Sequence, residues 1–424
     1  MADFVPSNVT DLKREDVAEQ VRLLFEQNTP TYQAMQKLTK GEFTEKGVRL
    51  PLYVRRPGGH TAYSPLASDF NAPVGPQTTS MFVYPTYYAI AEIMDETTMM
   101  MFQNTKQNNV ESFLQIQKMW PEAAMWRINR MYHGDGSGAL AFSSATLATP
   151  GPAQSLTCTT TAAATPGQTK GAVYLEEGHT YQAWNTTTNA ARGTFIVTTA
   201  GRSSCTINLT SGSITSGDPI VDVGSYAKWH RGLGHLIRSA TGLLQGLNTA
   251  NYLDLLSTGL DLAGAAPTPQ TIHSLKGSII TRYNDTTAEN GLTGVLTPGQ
   301  LRRLAAQGYN FREYIANMDG ADTTKGVPNK YQDHDTVFVE DASADDDRGY
   351  FWKNGCLENY EQMPFGEKRL DGQDWRMLLG ANNAGSGRYQ KAWGCSSNPA
   401  IVFPRGTAFF YRGEIASIST QVSP

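Results

Sequence analysis

The sequence predicts an α+β fold with a separate all-β module inserted into it. Three stretches carry that expectation: a long helical segment at residues 106–133, a Thr-, Ser- and Gly-rich segment at about 145–228, and mixed helix and strand patterns after residue 229. The chain has 424 residues and 40% hydrophobic content, enough for two or three domains with a sizeable core. Charged residues make up only 17%, against roughly 25% in ordinary soluble domains. So little charge cannot cover the surface with solvated ions. Burial against further copies of the chain accounts for the deficit; a sticky secreted protein is the plainer alternative.

Residues 11 to about 38 read as helix, with Asp11 as N-cap, Val17, Val21, Leu24 and Phe25 at helical spacing, and an interruption at Thr29-Pro30. This is either an arm lying on a neighbour or an ordinary packed helix. β-Formers then gather at 47–54 and 79–93, around a middle broken by Pro57, Gly58, Gly59, Pro65, Pro73, Gly75 and Pro76. A connection of that length does not belong inside a compact domain. Tyr53, Tyr63, Leu66 and Phe70 give it apolar surface to bury, so it reads as a long hairpin ordered only against another subunit. Arg55 and Arg56 are placed to pair with acidic groups across that interface.

In 106–133, Val110, Phe113, Leu114, Gln117, Ala124, Ile128 and Met131 lie near one helical face, and Pro121 must kink or restart the helix. Between 145 and 228, "GTFIVTT" and "SCTINLT" alternate apolar and polar residues, which predicts a small barrel or sandwich that is separable from the rest. Val173, Tyr174, Tyr181, Trp184, Phe195 and Ile196 argue against a flexible linker. Further on, Thr268 and Pro269 start a helix with Ile272, Leu275, Ile279 and Tyr283 on one stripe. "GVLTPGQLRRLAAQG" gives a strand and then a helix with Thr297 as N-cap, Pro298 in the first turn and Gly308 as C-cap. "DTVFVED" and "GYFWKNGC" read as strands, and Thr407, Phe409 and Tyr411 alternate in a last one.

The most site-like stretch is "HGDGSG", residues 133–138. A phosphate-binding loop follows a strand and opens a helix, and the nucleotide-binding version carries a Lys. This stretch follows a helix and has none. Ser137 as a nucleophile would need a strand-to-helix elbow and a base, and no partner for His133 is evident in the sequence. Gly134, Asp135 and Gly136 therefore read as a turn that stops the helix.

His230 and His235 are five apart across two glycines, so no helical face presents both to a metal. The run "EDASADDDR", with Asp341 and Asp345 to Asp347, lacks calcium-loop spacing and reads as a solvated loop. Cys158, Cys205, Cys356 and Cys395 are far apart and suggest neither zinc nor a disulfide framework. No catalytic, cofactor-binding or metal-binding residue is expected. A net charge of −4, with only Arg302 and Arg303 or Arg55 and Arg56 clustered, gives no nucleic-acid groove. No apolar run reaches membrane-spanning length, and the start "MADFVPSNVTDLKRED" lacks the apolar core of a signal peptide, so a reducing cytoplasm is expected.

The order of these elements, with the helix ending in "MYHGDGSG", resembles a tailed-bacteriophage major capsid protein of the Hong Kong 97 type. The likeness covers nearly the whole chain and rests on organisation rather than on one sharp motif. It implies an N-terminal arm (1–40), an extended loop (41–94), a P domain with a spine helix (95–144), a β-rich insertion domain (145–228), an A domain (229–400) and a C-terminal strand returning to the P domain (401–424). The implied function is self-assembly into an icosahedral shell around the phage genome, in the virion, after assembly in the host cytoplasm. Partners would be copies of the chain in hexamers and pentamers, a portal, separate scaffolding, cement proteins, and packaged DNA touched nonspecifically. Maturation would flatten and expand the shell through interfaces with two stable arrangements. Some relatives crosslink through a lysine in the extended loop; residues 48 to 105 contain none, which excludes that chemistry there. The competing readings are a secreted β-rich hydrolase using Ser137 and a tail or adhesin-type binding module.

Overall fold

The computed structural model describes residues 29–38, 47–55, 75, 77–95, 108–164, 168, 170–201, 204–283, 291–307, 336–368, 376–379 and 385–414. The chain mixes helix and sheet. A short helix α1 (Pro30–Ala34) leads into β1 (Gln36–Leu38), and β2 (Val48–Arg55) and β3 (Gln77–Val83) form an antiparallel pair. Then come β4 (Thr86–Asp95) and the 26-residue helix α2 (Asn108–His133). The helix expected to run to about 38 ends early, because Met35 is extended and residues 36–38 pair in parallel with 358–360. That partner lies more than 300 residues away in sequence, so no local pattern announces it. Residues 11–28 and the loop middle at 56–74 fall outside the described residues. Pro121 does not break α2, and Ala124, Ile128 and Met131 of the expected apolar face are buried.

Six strands follow: β5 (Ala141–Ser143), β6 (Gly151–Thr159), β7 (Thr180–Asn185), β8 (Ala190–Thr199), β9 (Ser204–Gly212) and β10 (Pro219–Asp222). They close into a barrel in the order β10-β5-β6-β9-β8-β7. The alternation seen in the sequence fills it: Phe195, Val197, Cys205, Ile207 and Leu209 are all buried. Residues 170–174, expected to lie in a β-rich run, form a 3-10 turn packed on the barrel instead. The barrel interior is continuous with the main core, which also takes in Met125, Ile128 and Tyr132 of α2 and Trp393 and Ile401 beyond.

A one-turn helix α3 (Leu233–Leu236) and a small hairpin, β11 (Leu243–Leu244) with β12 (Leu247–Asn248), come next. They are followed by β13 (Thr258–Asp261), α4 (Pro269–Tyr283), β14 (Leu292–Leu296) and a helix α5 over 298–307. The chain continues with β15 (Thr336–Glu340), β16 (Gly349–Lys353), β17 (Leu357–Lys368), β18 (Arg376–Leu379), β19 (Gly385–Ile401) and β20 (Thr407–Tyr411). The caps read from the sequence are present. Thr268 Oγ1 accepts from the Thr271 N–H at 3.2 Å, and Thr297 and Gln300 exchange reciprocal bonds of 3.3 and 3.0 Å. Gly308 lies outside the described residues. Leu301 and Leu304 of α5 and Ile272, Leu275 and Ile279 of α4 bury against Leu292, Phe351 and Phe410.

Two five-stranded sheets organise the rest. One has the order β13-β20-β16-β14-β15. In the other, the 17-residue β19 pairs with β4 along Arg388–Ser397, with β17 and with β18, and β1 lies on the far side of β17. Strands within 357–401 join β4 and β1, while the last strand sits between β13 and β16. Its alternating Ala408 and Phe410 complete the apolar face that α4 covers.

Candidate functional site

The described residues converge most densely at the last two turns of α2. Arg127 falls within the apolar stripe of Ala124, Ile128 and Met131, and Arg130 and His133 follow at three-residue steps, so the helix carries charge into the core. Arg130 and Asp345 form an ion pair at 2.8 Å with both side chains 1% exposed. Arg130 also donates to the carbonyls of Thr160 at 2.7 Å and Ser343 at 3.3 Å, and its guanidinium lies 4.8 Å from the centre of the Tyr174 ring. Arg127 reaches the barrel separately, donating to Asp222 at 2.6 Å and lying 3.2 Å from Glu176.

One turn later, His133 Nε2 lies 3.0 Å from Asp341 Oδ2 and 3.1 Å from Thr31 Oγ1. Thr31 donates to the same carboxylate at 2.5 Å, while Asn129 and the Ser343 N–H donate to its other oxygen at 2.9 and 2.8 Å. Burial alone would push the Asp341 carboxyl up. The His133 charge and the bonds from His133, Thr31 and Ser343 outweigh it and hold Asp341 well below the usual carboxylate range. For Asp345, burial is likewise outweighed, by the guanidiniums of Arg130 and Arg348. Asp346 goes the other way: burial raises it despite Lys170, whose ammonium donates to the Ala342 and Ala344 carbonyls at 2.7 Å each.

The acidic run expected to be a solvated loop is therefore buried. Asp341, Asp345 and Asp347 are at most 1% exposed. Each of the elements around it supplies donors: α2, the barrel side through Lys170, α5 through Gln300, and the chain end through the Gly413 N–H. Four segments remote in sequence are thus held at one point. Among the described residues, no group of three or more His, Cys, Asp or Glu side chains could hold a metal, and all four cysteines are free and buried.

The turn after α2 closes with the Gly134 N–H bonded to the Met131 carbonyl at 3.1 Å. The left-handed positions are Gly136 (φ 85°) and Gly138 (φ 80°), not Gly134. Asp135 accepts from the Ser137 N–H at 2.9 Å, and the Ser137 hydroxyl is engaged by Asp135 and the Ala139 N–H, with no histidine on it among the described residues. Ser137→Ala is expected to leave the melting temperature within a degree or two, whereas Gly136→Val forces a β-branched residue to positive φ and costs about 1–2 kcal/mol; equal melting curves for the two variants would refute this. Gly232 packs directly on the end of α2, where a Cβ would stand 2.4, 2.6 and 2.7 Å from the carbonyl oxygens of Met131, Tyr132 and Gly134. Those are backbone atoms that cannot rotate away. Gly232→Ala should therefore cost about 1–3 kcal/mol or more in chemical denaturation, where an ordinary exposed Gly→Ala costs nothing.

Of the other residues singled out in the sequence, Arg55 ends β2, and only its backbone is described. Arg56, Tyr63, Leu66 and Phe70 lie outside the described residues. The sequence reading missed Arg127 and Arg130, placed Asp341 and Asp345 in a solvated loop, and saw no partner for His133. The available signal was charge placed inside an apolar helical stripe, which demands a buried counter-charge.

No protein-family model and no curated protein matches this sequence. Among solved structures, the cyanophage A-1(L) capsid asymmetric unit aligns over 91% of this chain and 93% of that chain, at 9% identity and a TM-score of 0.51. The fold is that of a phage capsid subunit. Mycobacterium phage Bobi aligns over 91% of both chains at 8% identity with a TM-score of 0.43, and the capsid of a native GTA particle over 91% and 90% at 9% identity with 0.41. No described helix is long and apolar enough to cross a membrane.

Proposed function

We propose that the chain is a major capsid protein that self-assembles into the icosahedral shell enclosing a phage genome. The supporting observation is the fold shared with a capsid subunit over nearly the full length of both chains. In this reading α2 is the spine helix, the β2–β3 pair is the stem of the extended loop, and the barrel, with strands at 141–222, stands for the inserted β domain expected at 145–228. The buried junction at the end of α2 then locks arm root, spine, barrel and acidic loop into one rigid subunit, so that movement is left to the contacts between subunits. The partners are copies in hexamers and pentamers, with portal, scaffolding and cement proteins and nonspecific contact with DNA. The virion is the destination and the host cytoplasm the place of assembly. Nothing at Ser137 favours the hydrolase reading: its hydroxyl donates to Asp135 and accepts from the Ala139 N–H, with no histidine on it among the described residues.

Electron microscopy of the chain expressed with its neighbouring gene products tests this directly. Shells or capsomers are the expected result, and monodisperse monomers under all conditions would overturn it. A second expectation concerns residues 55–76, with Arg55, Arg56, Tyr63, Leu66 and Phe70. These are to be ordered by neighbouring copies, so amide exchange should be fast in the isolated chain and slow in particles. Arg55→Glu with Arg56→Glu should block assembly while leaving the subunit folded; equal protection in both states would count against it.

A further inference from the structure

We propose that Arg231 and Arg238, beside the end of the spine helix, form a contact surface that receives carboxylate side chains of a second copy of this chain. The inference rests on the reading of the chain as a shell subunit. Arg231 lies against the helix-stop turn, with its Cγ 3.5 Å from the position of a Cβ on Gly136, and its backbone N–H donates to Asn398 at 3.1 Å. Arg238 donates one bond, to the Leu243 carbonyl at 2.7 Å, and its Nε is buried without a partner. His235 sits between them with its Nε2 likewise buried and unpartnered. Both arginines are half-buried.

These cations lack what buried cations need. Burial lowers the Arg231 guanidinium, and only the Tyr84 hydroxyl works against it; burial and then repulsion from Arg231 lower Arg238. Burial pushes the His235 imidazole down to about 4, with Arg238 and Arg231 adding to it and Asp135 opposing, so it stays neutral at pH 7. No carboxylate is paired with either arginine among the described residues, in contrast to Arg127, Arg130 and Arg412, each of which has at least one. Two partly desolvated like charges without a counter-ion are unfavourable in an isolated subunit. The missing charge is supplied most simply from outside the chain.

The surroundings favour protein over nucleic acid as its source. Leu243 is 65% exposed beside Arg238, and Tyr84 is 49% exposed beside Arg231, with its carbonyl bonded to Asn398. Arginine, tyrosine and exposed apolar side chains together match the composition of protein interface centres. A phosphate backbone instead calls for a longer basic track. A second copy brings 39 carboxylate side chains of its own, the group that this arginine pair lacks. Two half-buried arginines so placed would also confer register, because a carboxylate must meet both the charges and the Tyr84–Leu243 flank.

The test uses the full chain in two forms. In Arg231→Lys/Arg238→Lys, treatment with a water-soluble carbodiimide should join the new lysines to carboxylates of another copy, read as intermolecular amide-linked peptides by mass spectrometry. In Arg231→Glu/Arg238→Glu, the yield of particles should fall at least tenfold on sedimentation while the circular dichroism melt of the subunit is retained. Links confined to one chain, or no links at all, would overturn the proposal. So would wild-type particle yield in the Glu variant, or intact particles that have lost only their DNA content. Intermolecular links in a chain that never forms shells would instead sink the capsid reading and leave this surface standing.

Discussion

Arg130→Met is expected to lower the unfolding free energy by about 3–5 kcal/mol, the range for removing one partner of a buried ion pair. Both side chains of the Arg130–Asp345 pair are 1% exposed, so the abandoned carboxylate cannot be rehydrated without opening the core. The Thr160 and Ser343 carbonyls would lose a donor at the same time. Arg348, which also lowers Asp345, recovers part of the loss. Arg130→Met/Asp345→Leu should be more stable than Arg130→Met alone, because the uncompensated charge is then gone. Urea denaturation of the parent, both single variants and the double variant gives the coupling. An Arg130→Met chain within about 1 kcal/mol of the parent would rule out the junction as a stabilising centre.

Acidification should destabilise the subunit in two steps, the first set by His230. This imidazole is fully buried, stacks at 5.4 Å on Tyr132, and shares a 3.0 Å bond with Ser397. Burial lowers it from 6.5 to about 4. An unfolded chain takes up the proton as pH falls through 6.5, while the folded chain resists until about 4. Its contribution is therefore complete above 6.5 and is lost downward across that window, to a total of about 3 kcal/mol. His235 titrates in the same direction. Asp341 and Asp345, with carboxyls held below their ordinary range, add a second loss only below about pH 4. Urea midpoints measured from pH 7 to 4 should show the first step in the parent and a shallower profile in His230→Gln, with the His235 share remaining. An unchanged slope in that variant would assign the step to other groups.

What the sequence made legible was whatever has a local cause. The span of α2, the caps at Thr268 and Thr297, the strand alternation inside the barrel and the apolar stripe of α4 all follow from neighbours three or four residues away, or from period two along a strand. The long β19 was not legible. Its "GSGRYQKAWGCSSNPAI" is rich in Gly and Ser, and it is a strand because β4, β17 and β18 pair with it. The same limit explains the acidic run. Asp341 and Asp345 look solvated until Arg130, His133 and Thr31, each more than 200 residues distant in sequence, are brought against them. Within α2 the clue was present in Arg127 and Arg130, which no amphipathic surface helix needs on its core side.

Closure of the six-stranded barrel bears on behaviour at very high local concentration. An open sheet ends in strands whose N–H and C=O groups invite any neighbouring strand to zip on, and side-by-side copies multiply the opportunities. In the ring β10-β5-β6-β9-β8-β7 every strand has a neighbour on both sides. Among the described residues, this Thr- and Ser-rich part of the chain thus leaves no strand as the outer edge of an open sheet. Its guard against edge-to-edge pairing is geometric, where an open sheet would need a fringe of lysines to do the same.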